Sequence, residues 1–234
     1  MNQVGRSIRG ARILLEMLAV VASILIAFSL DAWWSQRAQA RTEQAHLRAL
    51  RSDFEQNVSR LKELIEREER IADASRRLLL VSVSPETPAP EDSVRNLIGQ
   101  VLNSTRFDPV MGAYEAVVSS GGLAQIRQDS LRLALADFAS WLNGRYNERY
   151  SDELYFDFVR SFTGQLGLTA AVVASDSSAA AQAGTIAQHG LLRDPKFREH
   201  LALRYLAEQG VAGAYKGLLE KAEEVLNLTR RAPE

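Results

Sequence analysis

The chain has 234 residues, 46% of them hydrophobic and 24% charged, with a formal net charge of −1. That balance gives no electrostatic case for nucleic acid or for an anionic surface. There is no Cys and there are only three His, at 46, 189 and 200. Disulfide frameworks, cysteine-type zinc sites, iron–sulfur clusters and thiol nucleophiles are thereby excluded.

The averages conceal a segregation along the chain. Residues 1–12 are a basic tail carrying Arg6, Arg9 and Arg12. Residues 13–34 are nearly all apolar, with Glu16 and Asp31 the charged exceptions. About twenty helical residues span about 30 Å, the thickness of bilayer hydrocarbon. Arg12 on one side and Trp33 and Trp34 on the other stand where interface anchors belong. The expectation is one transmembrane helix. A cleaved signal peptide, with Ala38-Gln39-Ala40 as the cleavage site, competes with it. The run is long for a signal peptide, however, and two Trp and an Arg separate it from that site. Arginines flank both ends, but the first cluster is compact and free of acids. This favours an amino terminus inside and residues 35–234 exported.

Residues 35–80 read as a long charged amphipathic helix. Leu47, Leu50, Phe54, Val58, Leu61 and Ile65 recur at intervals of 3, 4, 4, 3 and 4, the period of an α-helix. Unbroken, it extends about 65 Å from the membrane, and nothing between Trp34 and Thr42 stops it joining the transmembrane helix. Residues 81–90 are a linker, because Pro85, Pro88 and Pro90 exclude helix and central strand. Residues 91–234 are expected to form a helical bundle completed by packing on 35–80. Asp92 or Ser93 caps a helix to about Leu102. Asp108-Pro109 opens another through Val118, ended by Gly121-Gly122. Asp129 or Ser130 caps a third, on which Leu131, Leu135, Phe138 and Leu142 mark the apolar face. Tyr146, Tyr150, Leu154, Phe158 and Phe162 extend it past a bend near Gly144 or Ser151. Residues 163–190 read as a low-complexity loop. Asp194-Pro195 opens the last helix, where Gly210, Gly213 and Gly217 point to close helix packing. No segment alternates with period 2, so the expected fold is all-α: an N-terminal transmembrane helix, a long helix and an antiparallel helical bundle.

The chain resembles a family of uncharacterised bacterial single-pass membrane proteins of unknown function. The residues that carry the resemblance are Glu16 early in the apolar run and an exit of the form Ile-Ala-Leu-x-x-Asn-x-Trp. Here Ile26, Ala27, Phe28, Asp31 and Trp33 occupy that exit, with Phe28 and Asp31 as departures. Tyr114-Glu115, Ser119-Ser120-Gly121-Gly122-Leu123, Ile126 and Leu131 resemble the middle region. The resemblance covers residues 9 to about 150, and more loosely the C-terminal helix, and implies a bacterial membrane location, with no activity attached; the orientation read above makes that the inner membrane.

No phosphate-binding loop, dinucleotide fingerprint, nucleophile elbow, zincin helix or EF-hand occurs. No two His share ligand spacing. No cofactor, no metal and no enzymatic activity are expected. The remaining candidates are interaction surfaces. Glu16, Ala19, Ser23, Ala27 and Asp31 fall within a sector of about 120° on one helix face. Small and polar residues there suit helix association within lipid, with itself or with another membrane protein. Glu16 is open to two readings: a functional intramembrane carboxylate, for instance one lent to a membrane motor or transporter, or a residue that snorkels or meets Arg12. Tyr114, Trp141, Tyr146 and Tyr205 are the candidates for a small-molecule pocket. The first functional expectation is a membrane-anchored interaction or scaffold module. The alternative is a ligand-sensing bundle that acts through a partner membrane protein.

Overall fold

The computed structural model describes residues 4–83, 90–144, 146–162, 164–165 and 190–231, with side chains described for all of these except 4–16, 19 and 146. The low-complexity loop expected at 163–190 therefore falls almost entirely outside the described residues. So do the middle of the linker and the side chains of Arg12, Glu16, Ala19 and Tyr146.

All described elements are helical. Helix α1 runs from Val4 to Val83 without a break, 80 residues and about 120 Å long. Its continuity follows from composition: between Ala11 and Val83 there is neither Gly nor Pro. The anchor segment and the charged helix expected to follow it are thus one rod. Then come α2 (Glu91–Val101), α3 (Gly112–Ser119), a 3-10 turn (Gly122–Gln125), α4 (Asp129–Asn143), α5 (Tyr146–Phe162) and α6 (Pro195–Arg231).

These elements make an up-down-up-down bundle of four columns. The first column is α1 from about residue 43, and the fourth is α6, antiparallel to it. Their register is pinned by Lys62–Glu223 at 2.8 Å, Lys216–Glu69 at 2.7 Å and Arg230–Glu55 at 3.0 Å. These pairs are exposed, so they set register and add little stability. The second column is α2 followed by α3, and the third is α4 followed by α5. Both are broken near mid-height, at residues 102–111 and at Gly144.

The breaks divide the interior into two apolar cores. One gathers Leu50, Phe54, Leu61, Phe138, Leu135 and Val225, with the rings of Phe54 and Phe138 edge-on at 4.8 Å. The other gathers Leu78, Leu97, Phe158, Phe162, Phe197 and Leu201. Its three phenylalanine rings lie 5.2–5.6 Å apart. The heptad-like stripe Leu47–Ile65 lies in the first core as its spacing requires.

Three local expectations are corrected. Asp108-Pro109 does not open a helix: α3 starts only at Gly112, with Met111 at φ −121 before it. The reason is tertiary. Asn57 of α1, fully buried, donates to Val110 O at 2.9 Å and accepts from Val110 N at 2.7 Å. That pairing uses backbone groups which a helix opened at Pro109 would have drawn into its first turn. Asp92 and Ser93 do not cap α2, whose N-cap is Pro90, and neither Asp129 nor Ser130 caps α4, whose N-cap is Gln128. Gly121 does close α3 as expected, in the left-handed conformation at φ 69, where Gly carries no steric penalty.

Candidate functional site

Between the two cores lies a layer of buried polar side chains. On α1, Glu68 interrupts the apolar face between Ile65 and Ala72. On α6, Arg204 and Glu208 occupy the same height between Leu201 and Val211. Each of the three is exposed by 2% or less. Arg204 Nη1 stands 2.8 Å from Glu208 Oε1, and its Nη2 donates to Asn103 O at 2.6 Å. The guanidinium also lies over the ring of Tyr155, 4.8 Å from its centroid, in cation–π range. Ser151 of α5 donates to Glu208 Oε1 at 2.7 Å, and Thr105 donates to Glu68 Oε1.

Burial dominates the electrostatics of this layer. It raises the Glu68 carboxyl, aided by hydrogen bonding with Glu208 and by that group's charge, to about 9; the Thr105 hydroxyl and Arg204 pull the other way. Burial also lowers the pKa of Arg204, against the attraction of Glu208 and Glu68. The guanidinium nevertheless stays charged. Glu68 Oε2 and both Nε and Nη1 of Arg204 have no hydrogen-bond partner among the described residues, so the contact of Nη1 with Glu208 is an ion pair only.

A second polar knot sits one step toward the first core. Glu148 Oε1 accepts from Phe107 N and from Tyr215 Oη, each at 2.9 Å. Burial first, and then Glu148, drive the Tyr215 hydroxyl well above its ordinary value, so it stays a donor. Beside this knot, on the surface, Arg106 and Asp152 pair at 2.5 Å.

The α4–α5 break opens a cleft of about 400 Å³ alongside Glu148. Trp141 and Asn147 form its walls, Gly210 and Gly213 expose its floor, and Tyr215 closes its inner end. Trp141 rests on Gly217 so closely that a Cβ there would come within 2.6 Å of the indole. Of the four aromatics expected to share a pocket, the three with described side chains are not brought together. Trp141 borders the cleft, Tyr114 packs on the first core, and Tyr205 accepts from Gln209 on its own helix at 3.0 Å. Tyr146 lies outside the described side chains. Of the histidines, His46 packs over Gly122, and His200 meets Asp157 Oδ2 at 3.0 Å; His189 is outside the described residues. No group of acids and histidines among the described residues is arranged to hold a metal.

The face Ser23, Ala27 and Asp31 is exposed, as is every other described side chain from Met17 to Trp34. Among the described residues, no helix is long and apolar enough to cross a membrane. Residues 13–16 and Ala19, which belong to the expected span, are outside the described side chains.

Residues 16–170 match a family of unknown function (DUF6090), two thirds of the chain. The protein belongs to this family. No curated protein and no solved structure matches it. The DUF6090 match takes in Glu68, Thr105, Glu148 and Ser151, while Arg204, Glu208 and Tyr215 follow it on α6. Glu68 and Glu208 could not be singled out from the sequence. Each is one acid among many on a mixed-charge helix, and only the heights at which the helices pack set them apart.

Proposed function

We propose that the protein is a membrane-anchored, non-enzymatic helical interaction module, held by residues 13–34 in a bacterial inner membrane with its bundle on the periplasmic side. One observation carries this reading. Eleven large apolar side chains between Met17 and Trp34 are 49–70% exposed, on a helix that runs without interruption into a packed bundle. In water such a patch is a liability; in hydrocarbon it is matched. Ser29 donates to Leu25 O at 2.8 Å within the helix, so its hydroxyl needs no water. Arg37 lies over the Trp33 ring at 5.4 Å, a pairing suited to the membrane interface. Ser23 and Ala27 leave a shallow face on which a second helix, from another copy or a partner, can pack.

The absence of Cys makes the test direct. A single Glu63→Cys variant of the full chain should stay in the membrane pellet after alkaline washing. It should also react with a membrane-impermeant maleimide in spheroplasts. Recovery in the soluble fraction rejects the anchor, and labelling only after lysis rejects the orientation. In a membrane two-hybrid assay, Ser23→Leu and Ala27→Leu should weaken self-association, and unchanged association rejects the small-residue face. The cleft beside Trp141 favours a second reading, a ligand-sensing bundle acting through a partner membrane protein. Metabolite-dependent Trp141 emission is its signature.

A further inference from the structure

From the geometry of the polar layer we infer that Glu68 and Glu208 form a proton-binding site: one proton shared by two buried carboxyl groups latches α1 to α6 between the two cores. The argument begins with charge. Among the described residues, Arg204 is the one cation in contact with the pair; it is ion-paired with Glu208 and donates to Asn103 O, and a single positive charge cannot balance two carboxylates. Two ionised acids would leave a net negative charge among side chains exposed by 2% or less, which a low-dielectric interior does not tolerate. One proton removes that excess.

Hydrogen bonding supports the same state. Glu68 Oε1 already accepts from Thr105, while Glu68 Oε2 is buried with no partner. An ionised carboxylate can only accept, so with both groups ionised the neighbouring Glu68 and Glu208 would have no proton to share between them. Protonated, Oε2 becomes the donor, and Glu208 is the acceptor on the neighbouring helix. Two carboxyl groups that share a site ionise in two separated steps.

Among the described residues, the surrounding groups do not offer an alternative neutralising cation. From α6 the layer is faced by Arg204 and Tyr215, and from α5 by Ser151, Tyr155, Asp152 and Glu148. The 102–111 connection contributes Thr105 and Arg106, and Arg106 is spent on Asp152 at the surface. The charged residues of α2 are Glu91, Asp92 and Arg95, which lie in its first half, away from the C-terminal end that meets the layer.

The linkage has a definite sign. Glu68 is raised in the folded chain from 4.5 to about 9. The folded state therefore holds a proton that the unfolded state has released. The stabilisation is complete below pH 4.5 and is lost as pH rises toward 9. Loss of the proton should loosen the middle layer first, because neither apolar core depends on it.

The test uses the full chain in mild detergent. Infrared spectra at neutral pH should show a buried protonated-carboxyl stretch that disappears in Glu68→Gln. The variant amide copies the protonated acid, accepting through its oxygen and donating through its nitrogen. Wild-type melting temperature should fall between pH 5 and pH 9, while Glu68→Gln stays level and exceeds wild type at the alkaline end. Amide exchange, corrected for base catalysis, should accelerate with pH at 103–107 before it does in α2 or α4. If Glu68→Gln does not fold, Glu208→Gln serves: Glu68 then faces Arg204 alone, ionises, and the band is lost. Absence of the band in folded wild type overturns the shared proton, as does an equal pH slope in wild type and Glu68→Gln. Simultaneous loss of exchange protection in the layer and both cores overturns the latch.

Discussion

Gly213 and Gly217 are one helical turn apart on α6, and the structure assigns them opposite roles. A Cβ built at Gly213 meets nothing within 4 Å, whereas one at Gly217 would lie 2.6–2.7 Å from the Trp141 ring. Glycine costs a helix interior about 1 kcal/mol relative to Ala. Gly213→Ala should therefore raise stability by about that amount, seen as a higher urea midpoint with an unchanged slope. Gly217→Ala gains the same propensity but must displace the half-exposed indole, at about 1 kcal/mol or more. It should be neutral or destabilising, and it should shift Trp141 emission to the red. The double variant with Trp141→Ala separates the two terms, because removing the ring should restore the full helix gain. If Gly217→Ala is as stabilising with the ring as without it, Trp141 is not seated on that glycine.

At the level of elements, three α1 side chains hold the 102–111 connection: Glu68 accepts from Thr105, Arg60 donates to Asp108 O at 2.8 Å, and Asn57 pairs with Val110 through both backbone groups. Asn57→Ala would leave both Val110 N and Val110 O without their partner. Val110 is half-buried, so water can partly replace the two lost bonds, and the expected loss is about 1–2 kcal/mol, measured by denaturant unfolding. Asn57→Asp keeps the acceptor for Val110 N, loses the donor and should fall in between; if Asn57→Ala is no worse than a surface change, the connection is held by something else. Asn57 also shows where sequence reading stopped. The helical period of α1, the Pro-rich stop after Val83 and the Gly121 and Gly144 breaks were all legible, because each is a local property of the backbone. The start of α3 was not. Asp108-Pro109 is a good local opening signal, and it was overruled by an asparagine 53 residues away in sequence. The polar layer was hidden for the same reason. Glu68, Arg204 and Glu208 look like ordinary members of charged helix faces until packing aligns them. The aromatics chosen for a pocket failed in the other direction. Their chemistry was right for a cleft, but Tyr114 and Tyr205 are on faces that the fold turns elsewhere.

The whole molecule consists of a rod and a bundle that share one helix. Among the described residues, α1 first engages the bundle at Glu43, whose carboxylate accepts from Arg127 N at 2.8 Å, and its first buried side chain is Leu47. Every described side chain from Met17 to Trp34 is exposed, so this segment contributes no packing to either core. The two parts should consequently be separable in energy although they are continuous in structure. A chain of residues 35–234 should be soluble and unfold cooperatively, with an unfolding free energy that matches the full-length protein in the same mild detergent to within about 1 kcal/mol. That tolerance is the scatter of surface changes that remove no buried contact. A larger loss on truncation would mean that the exposed segment packs against the bundle. A gain would mean that the segment strains it. Equality would establish that α1 is a mechanical link: whatever holds residues 13–34 also fixes where the Glu68 layer sits, without changing how strongly the bundle is folded.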